Sequence, residues 1–218
     1  MPVPGPLASM QPMGLSLALV VVALAVALAL RPWRALSADG VLQPWLACLV
    51  LLPWLWAAQR VMPGGVAVQL SGACLLVLLV GWPLAVLSLV PIAALGAWLG
   101  GIAWPQALDH LAWNGMVAAT FALAIGLATR RWLPRHPFVF ILGRGFFTTA
   151  LAMMAAGTLA TFVQPPPEST ELGSVLLGHW LMAWGEAFST GMLVAIFVAF
   201  KPQWLATWSD SRYLPRDG

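Results

Sequence analysis

An all-α, polytopic transmembrane bundle of about seven spans is predicted by three features: apolar content, scarcity of charge, and punctuation of long apolar runs by Pro, Gly and basic residues. Of 218 residues, 61% are apolar and 8% charged, with a mean hydropathy of +0.89. A water-soluble core neither needs nor tolerates that balance, so lipid is the solvent. A helix needs about 20 mainly apolar residues to cross the hydrocarbon. After the loops are removed the chain has room for six or seven such helices and none for a separate soluble domain.

The first span is GLSLALVVVALAVALAL, residues 14–30, halted by Arg31-Pro32, where a charge and a missing amide both oppose continuation. Residues 1–13 have no basic n-region and no clear cleavage site, so they are read as an extracytoplasmic extension of a retained span. Met10 and Met13 are alternative starts. The second helix covers about Val41 to Gln59. The apolar stretch Ala73 to Gly100 would be about 42 Å long as one helix, and Gly81-Trp82-Pro83 interrupts it, so it reads as a broken pair of short helices. The fifth helix runs from about Gln106 to Thr129, the sixth from about Phe138 to Val163, and the last from Gly173 to Phe200. The single transmembrane domain is 14–200, and 201–218 is a polar cytoplasmic tail.

With seven spans and the amino terminus outside, Arg31, Arg34, Arg130, Arg131, Arg135, Lys201, Arg212 and Arg216 fall inside and only Arg60 among the loop cations falls outside. This bias predicts a multi-pass protein of the inner (plasma) membrane. The net charge of +3 is scattered over helix ends rather than gathered on a face, which argues against nucleic acid as a partner. Cys48 and Cys74 read as small buried hydrophobes and Met153-Met154 as core filling. Trp54, Trp56, Trp104, Trp204 and Trp208 read as interface markers.

Ionisable side chains at membrane depth are costly, by roughly 2.5–3.5 kcal/mol on insertion scales, so each needs a partner or a role. They are Asp109, His110, Arg144, His179 and Glu186, with Gln69 and Asn114 as neutral companions. Arg144 reads as snorkelling toward the inner interface. The other six fall in the outer half, on three helices. Imidazole, carboxylate and amide groups at one depth suit an outward-open site for a cation or small polar solute. The same residues also suit interfacial positions and interhelical hydrogen bonds. Glu186 resists that second reading most, because it lies deep in LMAWGEAFSTGML among Gly185, Ser189 and Gly191, where small neighbours allow close packing around a buried carboxyl. No phosphate-binding Gly loop, HExxH or Cys-x-x-Cys is present, and the chain is read as a non-enzyme.

The order of these features resembles the membrane-permease subunit of cobalt and nickel energy-coupling-factor transporters. PGGVAVQLSGACLLVLLVG (63–81) resembles that family's Pro-Gly segment and short Leu-rich helix, and GWP (81–83) its helix break. Asn114 in LDHLAWNGMVAA and the helix GHWLMAWGEAFSTGMLVAIFVAF resemble its later motifs, so the likeness covers about residues 41–200. It implies a substrate-binding permease for a divalent transition metal, cobalt or nickel, working with a separate ATPase and transmembrane coupling subunit in the bilayer. Pro2 and Gln69 stand where the family places two His ligands, so the resemblance is to a divergent member of that family. A metal would then be held by His110, His179, Glu186 and Asp109, or a non-metal solute by Gln69 and Asn114. Two further classes stay open: a non-transporting assembly factor or scaffold, and an intramembrane enzyme using Glu186 and His179 as an acid–base pair.

Overall fold

In lipid every backbone N–H and C=O must be satisfied within the protein, which drives long apolar runs into helices. The computed structural model describes residues 6–32, 40–58, 60–61, 67–68, 70–134, 136–165, 171–209 and 213. It is an all-helical bundle of α1 (Pro6–Ala29), α2 (Leu42–Ala57), α3 (Ala73–Val80), α4 (Trp82–Gly100), α5 (Trp104–Trp132), α6 (Pro137–Val163) and α7 (Leu172–Phe200). The four helices α4 to α7 are long and apolar enough to cross a membrane, and α1 and α2 contribute the shorter apolar stretches Met13–Ala29 and Leu42–Ala57. The extended segments β1 (Arg60–Val61) and β2 (Ala67–Val68) form a two-residue antiparallel pair. Outward-facing Val22, Val50, Trp98 and Phe188 are exposed, as a lipid-contacting surface requires.

Hydrogen bonds and close packing order the bundle from end to end. Ser16, close to the middle of α1, donates to Asp109 near the start of α5, and Gln164 just beyond α6 donates to Ser16, so these contacts mark one end of α5 and α6. At the other end Leu78 and Leu79, closing α3, accept from the N–H groups of Thr207 and Ala206, just past α7. The helices α2 and α4 run side by side in the same direction. The Trp45 indole donates to Ser88 Oγ at 2.7 Å near their starts, and Trp56 and Ala57 pack against Gly96 and Gly100 near their ends.

The break expected in the middle of the chain is present, with Gly81 at φ +79 between α3 and α4. Only α3 is short, however. Its eight residues span about 12 Å, under half of the roughly 30 Å hydrocarbon, whereas α4 has 19 residues. The first helix begins at Pro6 rather than Gly14, so residues expected as an extension are helical from there. The tail is also more than a polar appendage. Pro202–Trp204 form a 3-10 turn, Leu205 and Tyr213 are buried, and Trp208 stacks on Tyr213 while Phe140 meets both rings edge-on.

Apolar contact between helices gains little in a solvent as apolar as the side chains, so close packing and polar ties must hold the bundle. Small residues supply the first: Ala118, Ala122, Ala152, Ala156 and Ala183 pack with Cys74 and Met153 where α5, α6 and α7 meet α3. Met153 fills core as expected, whereas Trp56, expected at an interface, is only 2% exposed. Two π-helical stretches widen the turns, Leu111–Val117 in α5 and Phe140–Phe147 in α6. Such widened turns recur at functional sites.

Candidate functional site

The deepest polar feature is the meeting of Glu186 with the start of α3. Glu186 lies at the midpoint of α7, fourteen residues from either end, and is 2% exposed. Its carboxylate accepts from the Ser71 N–H at 2.8 Å, the Gly72 N–H at 2.5 Å and the Ser71 hydroxyl at 3.4 Å. The first turn of any helix has unpaired N–H groups and a positive dipole end, and burial without partners is expensive. Here the Glu186 carboxyl supplies acceptors to the residues that lead into α3. Ser71 Oγ in turn accepts from the Ala73 N–H at 3.1 Å, and the Trp56 indole donates to the Ser71 carbonyl at 2.8 Å. Gly72 holds φ +66, a left-handed conformation that favours glycine, and a Cβ there would stand 2.5 Å from a Leu52 methyl.

Trp56→Phe keeps the ring and removes the donor to Ser71. Its thermal midpoint in detergent is expected to fall by an amount equivalent to about 1 kcal/mol. An unchanged midpoint would show that the indole bond contributes nothing.

The remaining site residues lie nearer the Ser16 end. Asp109 is half-buried and accepts from Ser16 Oγ at 2.5 Å. His110, half-buried at the entry to the π-helical stretch, has a buried Nδ1 with no hydrogen-bond partner among the described residues. His179 packs against Gly157, where a Cβ would fall 2.7 Å from its Cγ, and lines an open cavity of about 370 Å³ with Met154, Thr158 and Trp180. It is within electrostatic reach of His110. Asn114 is half-buried inside the π-helical stretch. Gln69 lies outside the described residues.

The chain matches no family model, no curated protein and no solved structure.

The four-residue metal set expected from sequence, Asp109, His110, His179 and Glu186, is not assembled: among the described residues no three His, Cys, Asp or Glu side chains converge as a metal would need. Metal donors sit about 2 Å from the ion, whereas His179 and Glu186 are separated by two helical turns, about 10 Å of rise. The Glu186 oxygens also already face the α3 amides. Of that set, His110 is within electrostatic reach of Asp109 beside it on α5 and of His179 on α7.

Arg144 does not snorkel. It is 8% exposed, lies 5.3 Å from the centroid of the Phe140 ring, and donates from Nη1 to the Thr207 carbonyl at 3.3 Å. Nor does Gly185 pack around the carboxyl: it is exposed, with Leu70 no nearer than 3.9 Å to a Cβ added there, whereas Gly191 is buried against Phe146. Sequence reasoning overlooked Ser71 and Gly72 as partners of Glu186. A signal for them existed, since Ser-Gly directly ahead of the apolar run ACLLVLLV is a helix-start pattern.

Proposed function

We propose that this protein is the substrate-binding permease component of an energy-coupling-factor-type uptake system for a divalent transition metal, cobalt or nickel. The observation that carries this reading is the half-length helix α3, which starts at membrane depth against a buried carboxylate. Irregular backbone at that depth is tolerated only where protein or a water-filled cavity surrounds it, and discontinuous helices with buried ends recur at the substrate sites of transporters. Support also comes from the coincidence of the family-like segments with structural landmarks: PGGVAVQLSG precedes α3, GWP falls at the α3–α4 break, and the His-to-Glu segment is the centre of α7.

In this reading His110 and His179 are the imidazole ligands of the transported ion. Asp109 adds negative charge at the entrance, Asn114 and Gln69 shape the pocket, and Glu186 positions α3 rather than binding the ion. The protein sits in the inner membrane with its amino terminus outside and its tail inside, the orientation that gathers Arg130, Arg131 and Lys201 on the cytoplasmic side. A separate ATPase and coupling subunit supply the energy.

The test is accumulation of radiolabelled nickel and cobalt by cells expressing His110→Ala or His179→Ala at parental levels. Each variant is expected to lose at least about tenfold, the scale of perturbing a metal shell. Unchanged accumulation in both would remove the metal reading. It would leave the second one, a non-transporting scaffold or assembly factor, which the lack of a convergent ligand set among the described residues favours.

A further inference from the structure

An indole N–H taken out of water needs an acceptor, because indole only donates. Three indoles of the bundle have one: Trp45 donates to Ser88 Oγ at 2.7 Å, Trp56 to the Ser71 carbonyl at 2.8 Å and Trp82 to Thr120 Oγ1 at 3.2 Å. Trp113 differs. It is 5% exposed, and its Nε1 is buried without a hydrogen-bond partner among the described residues. Leaving such a donor unsatisfied costs about 1–3 kcal/mol, and the proposed function gives it no role.

A second ring nitrogen in the same condition, His110 Nδ1, lies one turn away. His110 directly precedes the π-helical stretch Leu111–Val117, and Trp113 is the third residue of that stretch. Residues three apart on a helix are neighbours, with about 5–6 Å between Cβ atoms. Two hydrogen bonds of about 2.9 Å through one shared atom span at most about 6 Å, so one small ligand reaches both nitrogens. Chemistry selects that ligand. Beside an indole N–H it must offer a lone pair and cannot be a bare cation, whereas the imidazole nitrogen serves as donor or acceptor. Water meets both conditions, and buried waters are typically held by about three hydrogen bonds to groups that would otherwise lack partners.

His110 is also the α5 imidazole of the metal reading, within electrostatic reach of His179. A histidine that binds an ion through one ring nitrogen donates its other N–H to a carboxylate, a carbonyl or a water, which fixes the tautomer and the ring orientation. Among the described residues no carboxylate or carbonyl takes that place at Nδ1.

We infer that one buried water bridges the Trp113 indole and His110 Nδ1, making Trp113 a positioning residue that holds the His110 ring with its Nε2 lone pair left for the transported ion. The water oxygen accepts from both rings, so Nδ1 carries the imidazole hydrogen. The bridge stands on the two buried nitrogens alone, and its purpose rests on the metal reading.

NMR of the full chain in detergent, with isotope-labelled tryptophan and no metal, tests the bridge. The Trp113 indole resonance, assigned by its loss in Trp113→Phe, is expected in the hydrogen-bonded range set by Trp45 and Trp56, to exchange magnetisation with water, and to shift in His110→Ala. Phe fits within the volume of the indole, and His110→Ala reads the Trp113 ring without altering it. Nickel titration is expected to show roughly tenfold weaker binding in Trp113→Phe than in the parent, the scale for removing an outer partner of a metal-bound imidazole. A Trp113 resonance outside the hydrogen-bonded range, or one unmoved in His110→Ala, would overturn the bridge. Nickel bound equally by the parent and Trp113→Phe would overturn the positioning role. A bridge present in a parent that binds no nickel supports the water and removes the metal reading instead.

Discussion

Glu186→Ala is expected to lower stability by about 3 kcal/mol or more, read as a large drop in thermal midpoint in detergent. The substitution strips the acceptors from the Ser71 and Gly72 N–H groups, and each buried donor left unsatisfied costs about 1–3 kcal/mol. Glu186→Gln retains one carbonyl acceptor and nearly the same volume, so its drop is expected to be smaller. Equal stability of Glu186→Ala and the parent would show that the carboxylate does not hold α3. The ordering of the two variants matters for function as well, because any loss of metal accumulation in Glu186→Ala has a structural cause that the histidine variants lack.

Gly96→Ala is expected to cost about 1–3 kcal/mol, the usual range for overpacking a tight contact. An added Cβ would stand 2.6 Å from Trp56 Cβ and 3.3 Å from the Pro53 carbonyl oxygen. The obstacle sits at the root of the Trp56 side chain and on the α2 backbone, so α2 must shift as a body. Trp56 would move with it and strain its bond to Ser71. A double-mutant cycle of Gly96→Ala with Trp56→Phe is therefore expected to show a coupling energy above about 0.5 kcal/mol. The control is Gly185→Ala, on the exposed face of α7, expected within about 0.5 kcal/mol of the parent. If Gly96→Ala behaved like that control, the close approach of α2 and α4 would not contribute to stability.

Most of the fold was legible because its signals are local. Runs of apolar residues force helices in lipid, and Arg31-Pro32 and Gly81 stop them where a charge, a missing amide or a left-handed residue opposes continuation, whereas α5 runs past its expected end at Thr129, through Arg130 and Arg131, to Trp132. The helix ends expected from sequence at Ala73, Gly100, Val163 and Phe200 are those of the structure. The start of α1 was misplaced because Pro6 and its neighbours are apolar enough to continue a helix but lack the Val and Leu density that marks a span. The candidate site was legible as an inventory only. Glu186 stood out as a carboxyl deep in an apolar helix, which is a local oddity. Its partners, 114 and 115 residues away in sequence, left no trace in its own surroundings.

What the amino-acid sequence determines alone is the solvent, the helices and the break between α3 and α4, since each follows from what neighbouring residues do to backbone hydrogen bonding in lipid. What only the tertiary structure decides is the use of each polar side chain. Glu186 closes the end of α3, Arg144 turns inward over Phe140 instead of outward to water, and Trp56 is buried on Ser71. Hydropathy assigns a residue a depth but not a direction, and direction is set by which helix packs opposite.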